Sequence, residues 1–237
     1  MKRYVFALIL LFANSALAED FCFGFLNSFP DRKQIPTAEA EKIQEGHLAH
    51  MTAMAKAGHL LAAGPFLTPG GPRGIVVYRC TSLEQAKEWT AKDPAIIHKR
   101  LSLDMHLWRG PNNFGEPLAT SLKADPNAKY EMVRLPFLLF RKTSSWVNSG
   151  PVEILGEQNT ATQVLKKQGL LRITGPFLDS NEFAALWVLR DIPLEEAVKL
   201  AKASPLVHGG YATVESYIWM VANESIPYMD AVELPIN

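Results

Sequence analysis

An excess of charge of either sign is missing from this chain: 24 Lys and Arg stand against 24 Asp and Glu, with no basic stripe. Nucleic acids and anionic membranes are held through clustered Lys and Arg, so neither is expected as a partner. Long apolar runs are missing too. The run from Val5 to Phe12 is too short to cross a bilayer, which takes about 20 residues. Cysteine is reduced to Cys22 and Cys80, neither at a metal-motif spacing from another ligand. The chain also lacks a nucleophile elbow, a phosphate-binding glycine loop and a dinucleotide fingerprint. Thr143, Ser144 and Ser145 read as an ordinary loop. No cofactor is expected.

What is present is repetition. Gly58-His59-Leu60-Leu61-Ala62-Ala63-Gly64-Pro65-Phe66 returns 111 residues later as Gly169-Leu170-Leu171-Arg172-Ile173-Thr174-Gly175-Pro176-Phe177. The register holds without a gap through Leu83/Leu194, Pro94/Pro205 and Trp108/Trp219, with 13 of 51 positions identical. A fixed-offset match of this density indicates a tandem duplication, and each copy is a control for the other. Residues common to both copies serve the architecture. Residues confined to one are candidates for function.

The first residues stand apart from the repeat. Lys2 and Arg3 precede the apolar run, and Ala16-Leu17-Ala18 is a small-x-small cleavage site. These are the marks of a signal peptide over residues 1–18, cleaved after Ala18, which sends the protein to the periplasm or outside the cell. Residues 19–109 then form the first unit, 110–129 an extended Gly/Pro/Asn-rich linker, and 130–237 the second unit.

Each unit reads strand, helix, strand, strand, helix, strand. In the first, Phe21–Leu26 is apolar and aromatic, and Thr37 caps a helix carrying Ile43, His47, Met51 and Met54 at helical spacing, ended by Gly58. Leu60–Ala63 and Gly74–Cys80 follow as strands. Ser82 caps a second helix ending at Asp93-Pro94, and Ser102–Trp108 closes the unit. The second unit repeats this over Met132–Phe140, about 158–167, Leu170–Thr174, Phe183–Arg190, Leu194–Ala203 and Thr213–Val221. Pro136 in its first strand predicts an edge position or a bulge. A β-α-β-β-α-β unit gives an α+β, ferredoxin-like sheet with helices on one face. Two such sheets cover each other's open faces, an intramolecular dimeric α+β barrel and an internal pseudo-dimer in a monomeric chain.

The run His47-Leu48-Ala49-His50, then Gly58-x-Leu60-Leu61-x-Ala63-Gly64-Pro65, then Ser82-Leu83-Glu84-x-Ala86 and Asp93-Pro94 resembles the YCII-related family. The resemblance covers the first unit and, more faintly, the second. It implies a dimeric α+β barrel, an active-site His/Asp pair that maps to His47 and Asp93, and proton-transfer or elimination chemistry on small, often aromatic, molecules. The chain departs from the family in its signal peptide, in its fused second unit, and at Ala95, where an aromatic is usual.

The residues support the pair independently. His47 on an apolar helical stripe could be a core histidine, and Asp93 before Pro94 could serve only to set a turn. The second copy has Gln158 and Ser204 in their places, so both titratable groups are lost together while the turn survives. Histidine carries protons near neutral pH, and a neighbouring carboxylate fixes its tautomer. His50 and His98, with Pro65 and Phe66, are candidates for binding substrate. His59 and His106 complete a group of five histidines, but the spacings match no metal motif and no metal site is expected. His208 reads as a solvated turn residue, Arg79 and Arg190 as structural, and Trp108 and Trp219 as plugs at matching ends of the sheets. Two functions stay open: a lyase or isomerase acting on a small enolisable or aromatic molecule, and a non-catalytic ligand-binding or structural domain. A small molecule is the partner in the catalytic and the ligand-binding readings alike. Cys22 lies near the start of the first strand and Cys80 ends the third; these strands are neighbours in this topology, so a disulfide is expected.

Overall fold

Every second residue of Phe21-Cys22-Phe23-Gly24-Phe25-Leu26 faces the same way, yet all six are apolar or glycine. Such a strand must be covered on both faces, and in the computed structural model it is. Phe21, Phe23 and Phe25 enter a core shared by two sheets, while Cys22 and Leu26 pack under the helices. Residues 18–147, 150–226 and 231–236 are described; the expected signal peptide lies outside them except for Ala18, the first residue of the first strand.

The first half runs β1 (Ala18–Ser28), α1 (Thr37–Lys56), β2 (Leu60–Pro65), β3 (Gly74–Tyr78), α2 (Leu83–Thr90), α3 (Pro94–Ile97) and β4 (Leu101–Pro111). Helix α4 (Glu116–Ala124) follows. The second half runs β5 (Met132–Lys142), α5 (Val152–Lys167), β6 (Leu171–Pro176), β7 (Phe183–Leu189), α6 (Leu194–Lys202), α7 (Pro205–His208) and β8 (Ala212–Ala222). The two antiparallel sheets have the same strand order, β2-β3-β1-β4 and β6-β7-β5-β8. No helix among the described residues is long and apolar enough to cross a membrane.

Four expectations need correction. The linker is not extended throughout, because Gly115 at φ 76° turns the chain into α4. Thr37 does not cap α1: Pro36 occupies the cap position, with no side-chain bond, and Thr37 is the first helical residue. Helix α5 starts at Val152, six residues before the expected Gln158. Pro136 lies in an interior strand, and the irregularity of β5 falls at Phe140/Arg141 instead. The ladder to β7 begins only at Phe137, so at Pro136 the strand has a neighbour on one side alone, and the proline's missing N–H breaks no bond to β7. Ser82 does cap α2, its hydroxyl accepting the Gln85 N–H at 3.2 Å.

The repeated Gly-Pro-Phe has a physical cause in the contact between halves. Phe66 bridges to Trp219 and Phe177 to Trp108, and the Leu67 and Leu178 N–H groups donate to Ile218 O and Leu107 O at 2.8 and 2.9 Å. A Cβ at Gly64 would sit 1.8 Å from Met220 O, and one at Gly175 1.8 Å from Arg109 O. Only glycine admits another backbone that close. Trp108 and Trp219 are fully buried beside these junctions. At about 25 cal/mol per Å² and roughly 200 Å² each, the two indoles contribute on the order of 5 kcal/mol apiece before entropic costs.

The cystine joins Cys22 to Cys80 with the Cα atoms 6.0 Å apart. β1 pairs Cys22 with Tyr78, so Cys80, two residues further on, meets it from beyond the end of β3.

Candidate functional site

The site is assembled where α1 crosses α3. Gly46 faces Pro94, and a Cβ there would fall 2.9 Å from the proline ring, so its absence lets the helices close up. Asp93 caps α3 with extended backbone (φ −72°, ψ 124°), and its Oδ1 accepts the Ala95 N–H at 2.8 Å. Its Oδ2 lies 2.7 Å from His47 Nδ1. Asp93 is 1% exposed and His47 13%. A buried carboxylate without nearby donors would be costly; here one oxygen takes a backbone N–H and the other the imidazole. An ionised carboxylate only accepts, so Nδ1 carries the hydrogen and Nε2 is left with the lone pair.

Tyr78 lies behind the aspartate. It is fully buried, and its hydroxyl has no hydrogen-bond partner among the described residues. Burial pushes its phenol up to about 12; the Asp93 charge adds to this, and the Thr90 hydroxyl beside it offsets part. Tyr78 therefore stays neutral over the range in which a histidine works.

His47 lines a cavity of about 780 Å³ bounded by α1, β2 and α4. The volume is that of a site for a small organic molecule. Its walls are largely apolar, with Leu26, Met51, Leu61 and Leu122 among them. Pro65 lines it as expected, and so does Ala95. His50, His98 and Phe66 do not. His50 is turned about 60° around α1 from His47, where its Nε2 is buried without a partner among the described residues. His98 ends α3 and is exposed. Phe66 belongs to the core between the sheets, stacked on Tyr217 with ring centroids 4.4 Å apart. The linker's Leu118 and Leu122 complete the wall over α1.

The second half answers the pair with different chemistry. Gln158 Oε1 accepts the Leu206 N–H at 3.2 Å, so an amide from the long helix satisfies the short helix that Asp93 caps in the first half. Ser204 is buried and its hydroxyl has no partner among the described residues. Tyr78, Arg73 and Arg100 were missed as cavity or site residues, although the offset of 111 places Leu189, Ala184 and Tyr211 opposite them. The comparison that singles out His47 also flags these three.

The YCII-related domain model matches residues 27–98, which span both His47 and Asp93. Solved structures extend the likeness beyond that domain as fold alone. One variant of chlorite dismutase from Candidatus Nitrospira defluvii superposes with a TM-score of 0.52 at 11% identity, covering 89% of this chain and 94% of its own. A second variant gives 0.52 at 12% identity, covering 87% and 92%. Both likenesses extend over most of this α+β chain with its two antiparallel four-stranded sheets. Among curated proteins none matches the chain.

Proposed function

We propose that the YCII-related domain is a general acid–base site, acting as a lyase or isomerase on a small enolisable or phenolic molecule. The observation that carries this is the 2.7 Å contact between His47 Nδ1 and the buried Asp93 carboxylate at the wall of an apolar cavity. His47 Nε2 takes a proton from a carbon next to a carbonyl, and the C–H electron pair becomes an enolate. Asp93 holds the ring in the tautomer that leaves Nε2 free and stabilises the imidazolium that forms. The imidazolium then returns the proton, to another carbon in an isomerisation or to the departing group in an elimination. Protons and electrons balance without a cofactor.

In this reading the chain is a tandem pair closed into an intramolecular barrel. Support comes from the identical strand orders, the offset of 111 in sequence, and the bridges that join Phe66 to Trp219 and Phe177 to Trp108. The second half completes the barrel and carries no pair of its own. The same reading exports the protein to the periplasm or beyond, and the cystine, which persists in oxidising compartments, supports it.

The test is proton exchange. A panel of aryl ketones and keto acids is incubated with the protein in deuterium oxide and followed by proton NMR. Accelerated loss of the α-proton signal is expected for at least one compound, abolished by His47→Gln with melting unchanged within a few degrees. Exchange that survives His47→Gln, or no acceleration with any compound, defeats the catalytic reading. Binding without exchange leaves a ligand-binding module.

A further inference from the structure

Three arginines from three separate loops meet in the wall of the His47 cavity. Arg32 follows β1, Arg73 precedes β3 and Arg100 precedes β4, and all three line that cavity. Their backbones are tied together at the end of β1. The Arg73 N–H donates to Leu26 O at 2.6 Å, the Phe29 N–H to Arg100 O at 3.2 Å, and the Arg32 N–H to Phe29 O at 3.2 Å. Arg100 also donates through Nη1 to Lys33 O at 2.6 Å, which aligns one edge of its guanidinium.

No carboxylate among the described residues forms an ion pair with any of the three. Burial, then the Arg100 and Arg73 charges, hold the Arg32 guanidinium below its ordinary value, so the three charges feel one another. Gathering like charges is unfavourable unless an anion joins them. Planar guanidinium groups fit oxyanions two bonds at a time, which suits carboxylate and phosphate alike. The rest of the wall is largely apolar, from Leu26 and Met51 to Leu122. In the second half Ala184 and Tyr211 stand opposite Arg73 and Arg100, so that basic pair, like His47 and Asp93, is confined to the YCII-related domain and its border.

We infer that Arg32, Arg73 and Arg100 hold the oxyanion head of the ligand, a carboxylate or a phosphate, while its apolar body lies along α1, β2 and α4. This rests on the proposed function only in placing the ligand in the His47 cavity. It narrows the substrate to an amphipathic acid.

Calorimetry with 2-naphthoate, 2-naphthyl phosphate and the neutral 2-naphthamide at low salt tests it without requiring any reaction. The wild-type chain is expected to bind at least one anion about tenfold or more tightly than the amide. Arg32 and Arg73 are exposed and, among the described residues, their side chains form no hydrogen bond or ion pair, so the double variant Arg32→Gln/Arg73→Gln keeps its fold, checked by melting. It should lose about tenfold or more in affinity for the anion and leave the amide unchanged. Preference for naphthoate identifies a carboxylate head, and preference for naphthyl phosphate a phosphate head. The inference is overturned if neither anion binds at millimolar concentration, if the amide binds as tightly as both, or if the double variant binds the anions unchanged. Tight anion binding without proton exchange would defeat only the catalytic reading, and exchange without anion preference only this one.

Discussion

Asp93→Asn is the sharpest single change at this site, because it keeps the shape and removes the charge. The asparagine Oδ1 still accepts the Ala95 N–H, and asparagine is among the best helix caps, so α3 persists. The other oxygen is replaced by an NH₂ group facing His47 Nδ1. Two donors cannot share that contact, so the imidazole moves its hydrogen to Nε2 and Nδ1 becomes the acceptor. The atom that takes the substrate proton in the proposed reaction then already carries one. Exchanging a charge-assisted bond for a neutral one costs about 1–2 kcal/mol of stability, too little to unfold a domain. The rate should fall by about 10²–10⁴, the contribution usual for a positioned acid–base group. Nitrogen-15 NMR of the imidazole would show Nε2 protonated in the variant and Nδ1 protonated in the wild type. A variant that exchanges protons within threefold of wild type, or that keeps the Nδ1 tautomer, refutes this account.

Reducing the Cys22–Cys80 bridge opens a loop with a sequence separation of 58 residues, worth about 4 kcal/mol in the chain-entropy model. With a urea slope of roughly 2–3 kcal/mol/M, the unfolding midpoint should drop by more than about 1 M; an unchanged midpoint refutes the estimate. Tyr78 is neutral in the fold up to about 12 but ionises near 10 in the unfolded chain, so its share of stability is complete below pH 10 and lost as pH rises to about 12. Tyr78→Phe should therefore shrink the fall in urea midpoint between pH 9.5 and 11.5 by an equivalent of up to about 2 kcal/mol, and an identical fall in both proteins would count against the buried phenol.

How much of this was legible in sequence depended on length and repetition. The eight strands among the described residues are apolar and recur at a fixed offset, which makes their order readable from the sequence. Helix α3 has four residues, too few to show a period, and the Asp93 side chain that caps it looked like the end of α2. Helix α4 sits among Gly, Pro and Asn, and only its Leu118 and Leu122, four apart, hint that one face is covered. His47 and Asp93 were found because the second half lacks both. His50 was misjudged because three residues on a helix turn a side chain by 300°, enough to leave the cavity. Arg32, Arg73 and Arg100 form no motif, being brought together only when β1, β3 and β4 align their ends.

The second half also shows why a His/Asp pair needs more than its own two residues. Asn159 occupies the position of Leu48, which is 56% exposed and lines the cavity. Asn159 is instead 7% exposed and binds the backbone of Leu234 twice, donating to its carbonyl at 3.0 Å and accepting its N–H at 2.8 Å. Gln163 donates to Glu233 at 3.2 Å, and Val232 and Leu234 are buried. The segment 231–236 thus covers on α5 the surface that remains open to a ligand on α1. Grafting the pair, as Gln158→His with Ser204→Asp, should rebuild the geometry: the new carboxylate can cap α7 at Leu206 as Asp93 caps α3 at Ala95. Placed in a His47→Gln chain, the graft should show the Nδ1-protonated imidazole by nitrogen-15 NMR and yet no proton exchange, because substrate has no access. Recovery of exchange by the grafted chain would refute the argument that the cavity, as much as the pair, makes the site.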